Sequence, residues 1–322
     1  MNIVLPSADF LNVRALRKVV SFTTAILLCA AASVASAQQA FKTPDEAASA
    51  LASAAKTGDR KAIVTVLGPD GEDIVSSGDE VADAQTRQKF VAAYDAKHEI
   101  AMDGDNKATV VVGLEDFPLP IPLVRKDGMW RFDTAAGRDE ILFRRIGKNE
   151  LEAIQASLAY VDAQKEYAEK DRTGAGVNTY AQRIISQPGK KDGLYWPTSP
   201  GEEASPLGEL VAQATRQGYS AGGGRTPFHG YYFKILTKQG AAAPGGEMDY
   251  VVRGKMIGGF ALVAYPAEYR NSGVMTFLVN HAGTVYQKDL GPNTPRLAER
   301  MTSFNPDPSW QKVPDTDTAR LQ

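Results

Sequence analysis

Apolar and polar residues in the first part of the chain follow helical spacing and then strand-like alternation. Thr43, Pro44 and Glu46 form a helix start, because threonine caps, proline suits the first turn, and glutamate can bond back to the Thr43 amide. The pattern predicts helices over 44–56, 60–67 and 84–96, followed by strands over 98–102, 108–112, 123–125 and 129–133. Prolines alternate with apolar residues over 117–122, which fits a strand edge or an extended linker. Helices followed by an antiparallel sheet predict an α+β domain over 38–147.

A second pattern begins after Gly147, which we interpret as a break in the chain. Asn149, followed three residues later by Glu152, fits a capping pair, and large apolar residues then recur at helical spacing. These features predict a long helix over 150–170. A short helix and several strands are predicted behind it, over 207–217, 231–236, 249–253, 258–265, 274–279 and 284–288. The sequence therefore predicts a second α+β domain over 148–322.

The first residues have the pattern of an export signal. Arg14, Arg17 and Lys18 precede an apolar run of roughly 14 residues, shorter than the roughly 20 that a membrane helix needs. Ala35-Ser36-Ala37 then fits the small-x-small cleavage rule. We predict a signal peptide over 1–37, a periplasmic or secreted product, and no membrane span after cleavage. A buried N-terminal helix is the alternative.

Charge and cysteine content narrow the classes of function. The formal net charge is -2 over 322 residues, so neither sign is in excess and a nucleic-acid partner is not expected. The single cysteine, Cys29, lies inside the predicted signal behind Leu28, which does not suit lipid attachment. The mature chain would then contain no cysteine, which excludes disulfides, thiolate metal sites and a cysteine nucleophile.

Several segments together resemble a bacterial family of unknown function, catalogued as domain of unknown function 2950. They include Trp-Arg-Phe-Asp at 130–133, Arg-Arg-Ile-Gly at 144–147 and Asp-Gly-Leu-Tyr-Trp at 192–196. The others are 136–137, 180–182, 230–236, 259–266, 273–277 and 285–291. The resemblance covers nearly all of the mature chain. It implies an exported envelope protein and no known activity.

Each predicted domain also resembles a known type of fold. The Pro-Asp-Glu helix start at 44–46 and the Gly-x-Trp-x-Phe-Asp hairpin at 128–133 resemble cone-shaped domains of the nuclear-transport-factor type. Ala163-Gln164 with Tyr167, and the Gly-Tyr-Tyr-Phe segment at 230–233, resemble the globular part of pilins and pseudopilins. A prepilin cleavage site followed by a long apolar helix is missing, so pilin-like polymerisation is not expected.

Gly218-Tyr219-Ser220-Ala221-Gly222 matches the Gly-x-Ser-x-Gly pattern of serine hydrolases. That chemistry needs a strand before the serine, a helix after it and a histidine base nearby. Here a helix is predicted before Ser220 and more glycines follow, so a glycine-rich loop is the favoured interpretation. A hydrolase using Ser220 with His229 or His281 is kept as the alternative.

Other motifs fit metal or phosphate chemistry only in part. His98, His229 and His281 have no ligand-like spacing. Asp171 begins a segment that resembles a calcium loop but lacks the closing glutamate. Gly222-Gly223-Gly224-Arg225 has no lysine-serine helix start behind it. We therefore assign no catalytic, cofactor-binding or metal-ligating residue and expect no cofactor.

Aromatic residues form the remaining candidate site: Tyr195, Trp196, Phe228, Tyr231 and Tyr232. They can form a shelf for a glycan or peptide, or the core of the second domain, and core packing is favoured. The leading hypothesis is an exported, non-catalytic binding module whose partner is an envelope protein or polysaccharide. The alternatives are the hydrolase and a module that adds a strand to a partner through a sheet edge.

Overall fold

The structure is a computed structural model that describes residues 38–174, 176–220 and 226–314. The predicted signal peptide over 1–37 lies outside the described residues, as does the Gly222–Arg225 segment. Within the described part of the chain, no helix is both long and apolar enough to cross a bilayer.

The chain begins with helices that cover one face of a sheet. Thr43 Oγ1 accepts a hydrogen bond from the Glu46 amide, as predicted, whereas Glu46 Oε2 accepts from the Lys42 amide and not from Thr43. A 3-10 turn at Pro69–Gly71 separates the second and third helices. The helices are α1 (Pro44–Thr57), α2 (Arg60–Leu67), α3 (Glu72–Val75) and α4 (Glu80–Ala96).

The first sheet is antiparallel and follows the helices. Its strands are β1 (His98–Met102), β2 (Lys107–Val112), β3 (Phe117–Pro118), β4 (Leu123–Lys126) and β5 (Met129–Phe132). The order is β1-β2-β4-β5, and β3 also pairs with β2. Alternation along β2 buries Ala108, Val110 and Val112 in a core shared with the helices. This part of the fold follows the prediction closely.

A single helix, α5 (Thr134–Tyr167), then runs for 34 residues. The predicted break at Gly147 is wrong, because α5 continues through it. The helix is capped instead by Asp133, whose Oδ1 accepts from the Ala136 amide at 3.3 Å. Gly137 also lies inside α5, where a Cβ would stand 2.5 Å from the Pro120 carbonyl oxygen. Glycine at 137 therefore permits close packing of α5 against the loop between β3 and β4.

The second half contains α6 (Gly208–Arg216) and α7 (Thr294–Arg300). Its main sheet is antiparallel with the order β15-β13-β12-β11-β6. The strands are β6 (Tyr231–Leu236), β7 (Lys238–Gln239), β8 (Met248–Asp249), β9 (Val251–Val252), β10 (Lys255–Met256), β11 (Ala261–Pro266), β12 (Met275–Asn280), β13 (Tyr286–Asp289), β14 (Ser303–Phe304) and β15 (Gln311–Lys312). The segment predicted as one strand over 249–253 is divided between β8 and β9.

Two hydrophobic clusters form the interior. The first extends from Phe41 to Phe132, and the second from Ala153 to Val313. Helix α5 contacts both, since Ile141 packs on the first cluster and Ile154 belongs to the second. The α+β class is confirmed. The domain boundary between 147 and 148 stays a prediction, and it falls within α5.

Candidate functional site

An apolar pocket lies between α5, α6 and β6. Its volume is about 490 Å³, and its described lining contains no charged side chain. The lining residues are Ala156, Tyr160, Ile184, Ile185, Leu207, Leu210, Val211, Ala214, Thr215, Tyr219, Ser220, Thr226, Pro227, Phe228, Tyr232, Phe233 and Leu262. The lining therefore suits an apolar ligand.

One wall of the pocket is the amphipathic helix α6. Leu210, Val211 and Ala214 are spaced to share one face, which lines the pocket, whereas Ala212 is exposed. The start of the helix is anchored because the Leu207 amide donates to the Leu194 carbonyl at 3.0 Å. Sequence analysis predicted this helix but not its role as a pocket wall.

The floor of the pocket is supplied by buried side chains of α5 and the main sheet. Tyr160 reaches across from α5, and its hydroxyl lies 3.3 Å from the Ala261 carbonyl oxygen. Gln164 also donates to this hydroxyl at 3.0 Å. Burial raises the pKa of Tyr160, so the hydroxyl stays protonated at neutral pH. Leu262, from β11, is likewise buried. The floor is thus apolar and uncharged.

Tyr219 fixes a third wall by a hydrogen bond to the first half of the chain. Its hydroxyl donates to Asp79 Oδ2 at 2.9 Å and accepts from the His229 amide at 3.2 Å. Asp79 is buried, caps α4 through the Ala82 amide at 3.0 Å, and accepts from the Gly230 amide at 2.8 Å. Burial and the Asp79 carboxylate raise the pKa of Tyr219, which keeps its hydroxyl a donor.

The residues predicted to cap a helix at 150 instead join α5 to nearby loops. Asn149 Nδ2 donates to the Ser272 carbonyl at 2.9 Å, and Glu152 Oε2 lies 2.8 Å from His229 Nδ1. Burial raises the pKa of Glu152, but His229, with a contribution from Lys148, outweighs burial and holds this pKa below its ordinary value. The predicted capping role is wrong because both residues lie inside α5.

A partly buried guanidinium makes a further connection between the halves. Arg145, on α5, donates to the Asp73 and Ile74 carbonyls at 2.7 and 2.5 Å and to Asn271 Oδ1 at 2.5 Å. Asn271 Nδ2 in turn donates to the Ser76 carbonyl at 2.7 Å. These bonds hold the loop before β12 against the loop before α4. Sequence analysis missed this network, because its members are far apart in the chain.

The candidate hydrolase residues lie in different surroundings. Ser220 is exposed and lines the apolar pocket. His229 is turned toward Glu152, whereas His281 packs edge-on against Tyr250. Burial lowers the pKa of His281, and its Nδ1 is buried without a hydrogen-bond partner in the described structure. The hydrolase stays a prediction.

The remaining candidate residues have local contacts. The segment that resembles a calcium loop contains Ala175, which is outside the described residues, and Asp171 accepts from the Thr173 and Gly176 amides at 3.2 and 2.6 Å. Its carboxylate thus closes the turn. His98 stacks on the Tyr94 ring at 3.9 Å. Over 38–174, 176–220 and 226–314, no three histidine, cysteine or acidic residues are grouped as metal ligands.

The aromatic set divides between the core and the pocket. Trp196 and Tyr231 are buried in the second cluster, and Tyr195 packs against it. Phe228 and Tyr232 line the pocket. The favoured interpretation therefore holds for part of the set, while the other part lines the apolar pocket.

Fold and site together define an α+β protein with an apolar pocket beside its second sheet. Residues 38–313 match the family model described as Protein of unknown function (DUF2950), and the chain belongs to this family. No curated protein and no solved structure compared with the chain matches it. The resemblances to cone-shaped domains and pilins stay predictions.

Proposed function

We propose that the mature chain is an exported, non-catalytic binding protein of the bacterial envelope whose ligand is a small apolar molecule. The pocket between α5, α6 and β6 is the observation that carries the proposal. Its volume of about 490 Å³ lies within the range of roughly 300–1,000 Å³ that is usual for small-molecule sites.

The lining favours an apolar ligand over a polysaccharide. Phe228, Tyr232 and Phe233 supply aromatic surface, and the rest of the described lining is mainly aliphatic. Transfer of apolar surface from water to such a lining stabilises a complex by about 25 cal/mol per Å². A polysaccharide would bring many hydroxyl groups, and each would lose water contacts without an equivalent partner.

Binding can be tested with an environment-sensitive apolar dye, N-phenyl-1-naphthylamine, titrated into the purified chain 38–322. Ala214→Trp, on the inner face of α6, should fill the pocket and weaken dye binding at least about tenfold. Ala212→Trp makes the same change on the exposed face and should leave the affinity unchanged. An absence of dye binding, or an equal effect of the two substitutions, would contradict the proposal.

Export can be tested separately by expressing the full chain in a bacterium and isolating the periplasmic and secreted fractions. The expected product begins at Gln38, after removal of the predicted signal peptide. A product that begins at Met1 and remains with cytosolic markers would refute the envelope location without affecting the pocket.

A further inference from the structure

We propose that a second pocket, at the carboxyl end of α5, is a binding site for a neutral saccharide. The pocket is lined by Tyr167, by Thr173 and side chains between Thr179 and Asp192, and by the turn between β9 and β10. Its described lining shares no residue with that of the apolar pocket, so the proposal does not depend on the ligand of the first site. The volume of about 540 Å³ holds roughly 18 groups the size of water. A sugar unit has about 12 non-hydrogen atoms, so there is room for about one or two units.

The segment that carries the polar side chains of this pocket is fixed on two sides. On one side, the Tyr180 amide donates to the Met256 carbonyl at 2.8 Å, which attaches the segment to β10. On the other side, the Leu194 amide donates to the Arg183 carbonyl at 3.1 Å. The wall is therefore held in place by its own backbone, which lowers the cost of ordering it when a ligand binds.

A guanidinium and a carboxylate lie side by side in the lining. Arg183 Nε is 3.7 Å from Asp192 Oδ2, and the Arg183 side chain is 54% exposed. Asp192 Oδ1 accepts from the Gln187 amide at 2.8 Å, which orients the carboxylate. Within the described part of the chain, neither the Arg183 guanidinium nor Asp192 Oδ2 makes a hydrogen bond. Neighbouring sugar hydroxyls match this pair, because one can donate to the carboxylate while the next accepts from the guanidinium.

The same pair favours a neutral ligand over a charged one. A ligand with a net charge is attracted by one member of the pair and repelled by the other, and at this separation the two contributions largely cancel. A zwitterion would have to separate Arg183 from Asp192 to pair with each of them. The third charged side chain of the described lining, Lys255, is not free to pair with a ligand either. Hydroxyl groups can bind without breaking the pair.

Two further side chains of the lining suit a sugar ring. Gln182 Nε2 donates to the Gly254 carbonyl at 2.8 Å, which fixes the side chain and leaves the amide oxygen as an acceptor in the described structure. The Tyr180 ring is held by an edge contact with Phe260, with 4.8 Å between the ring centroids. Such a ring offers an apolar surface to the C–H groups of a sugar. The lining thus combines planar polar groups with one aromatic ring.

The test is isothermal titration calorimetry of the chain 38–322 with maltose, cellobiose and N,N′-diacetylchitobiose. We expect at least one of these neutral sugars to bind with a Kd below about 10 mM. Its affinity should change less than about twofold between about 0.05 and 0.5 M NaCl, because a neutral ligand has no charge to screen. Failure of all three sugars to bind would overturn the inference, and so would tighter binding of glutamate or inorganic phosphate.

Substitutions in the lining test the place of the sugar. Arg183→Ala removes the guanidinium, and Asp192→Asn replaces Oδ2 by a donor while its oxygen can keep the bond to Gln187. Each should weaken sugar binding at least about fivefold. Arg296→Ala removes an exposed arginine of α7 that is not part of the lining, and it should leave the affinity unchanged. Equal effects of Arg183→Ala and Arg296→Ala would overturn the site.

The outcomes for the two pockets can be told apart. Arg183→Ala should leave the binding of the apolar dye unchanged, and Ala214→Trp should leave sugar binding unchanged. Loss of sugar binding in Ala214→Trp would place the sugar in the apolar pocket and overturn this inference. If the dye does not bind but the sugar does, the proposed apolar ligand falls and the saccharide site stands.

Discussion

Replacing Asp79 by asparagine tests whether a carboxylate from the first half of the chain holds the pocket wall in place. In the native protein, Asp79 Oδ2 accepts from the Tyr219 hydroxyl and the Gly230 amide, while Oδ1 accepts from the Ala82 amide. The asparagine oxygen can keep the bond to Ala82. The asparagine amide group, however, takes the place of Oδ2, and it donates hydrogen bonds where Oδ2 accepted them.

The expected cost follows from these contacts. The Tyr219 hydroxyl can rotate to accept from the new amide, but the buried Gly230 amide has a fixed direction and loses its acceptor. A hydrogen bond to a charged group contributes roughly 1.5–3 kcal/mol, and an orphaned buried donor costs roughly 1–3 kcal/mol. These two contributions overlap, because both describe the bond lost by the Gly230 amide, and they are not added in full. We therefore expect Asp79→Asn to lower the free energy of unfolding by about 2–4 kcal/mol.

Urea denaturation of the chain 38–322, followed by tryptophan fluorescence, measures this change. Asp95→Asn is the control on the same helix, because Asp95 forms an exposed ion pair with Lys56 and should cost less than about 1 kcal/mol. Tyr219→Phe, combined with Asp79→Asn in a double-mutant cycle, should show a coupling of about 1–2 kcal/mol. A cost for Asp79→Asn equal to that of Asp95→Asn would refute the reasoning.

Three further predictions concern single residues. Gly137→Ala should lower the free energy of unfolding by more than about 2 kcal/mol in urea denaturation, because its Cβ would meet the Pro120 carbonyl, and an effect near zero would contradict the packing described. Gly147→Ala, in the same helix but in open space, should raise it by about 0.5–1 kcal/mol, and a loss would contradict this environment. Because burial lowers the pKa of His281 in the folded state, the unfolded chain binds the extra proton, so stability should fall as the pH decreases below 6.5. In urea titrations between pH 7 and 5, His281→Gln should reduce this slope, and an unchanged slope would refute the assignment.

Some helices and strands could be predicted from residues that are neighbours in the sequence. The strand predicted over 231–236 is β6 (Tyr231–Leu236), because an aromatic and aliphatic run follows Gly230 and needs no distant partner to be recognised. The start of α1 is likewise set by Thr43 and Pro44. The α+β class follows from the order of such elements.

The wrong predictions concern residues whose contacts are made with distant parts of the chain. Such contacts cannot be predicted from local sequence patterns. A glycine inside a helix costs about 1 kcal/mol relative to alanine, so Gly147 looked like a break, although α5 passes through it. Asn149 and Glu152 had the spacing of a cap, but their partners are Ser272 and His229. Spacing along the chain does not reveal such partners.

The pocket could not be predicted from the sequence either, because its walls come from segments scattered over the second half. Phe228 and Tyr232 were singled out as a possible shelf, but nothing local placed them opposite α6. The bond between Tyr219 and Asp79 joins residues 140 positions apart. The spacing of Leu210, Val211 and Ala214 along α6 is a second signal in the sequence that points toward the site.

Helix α5 has a mechanical consequence for the molecule. Its 34 residues give it a length of about 51 Å, and it enters both hydrophobic clusters without a break. A hinge motion between the clusters would require at least one turn of this rod to melt, together with the release of Arg145 from Asp73 and Asn271. An unbroken α5 therefore favours movement of the two clusters together over rotation about a hinge between them.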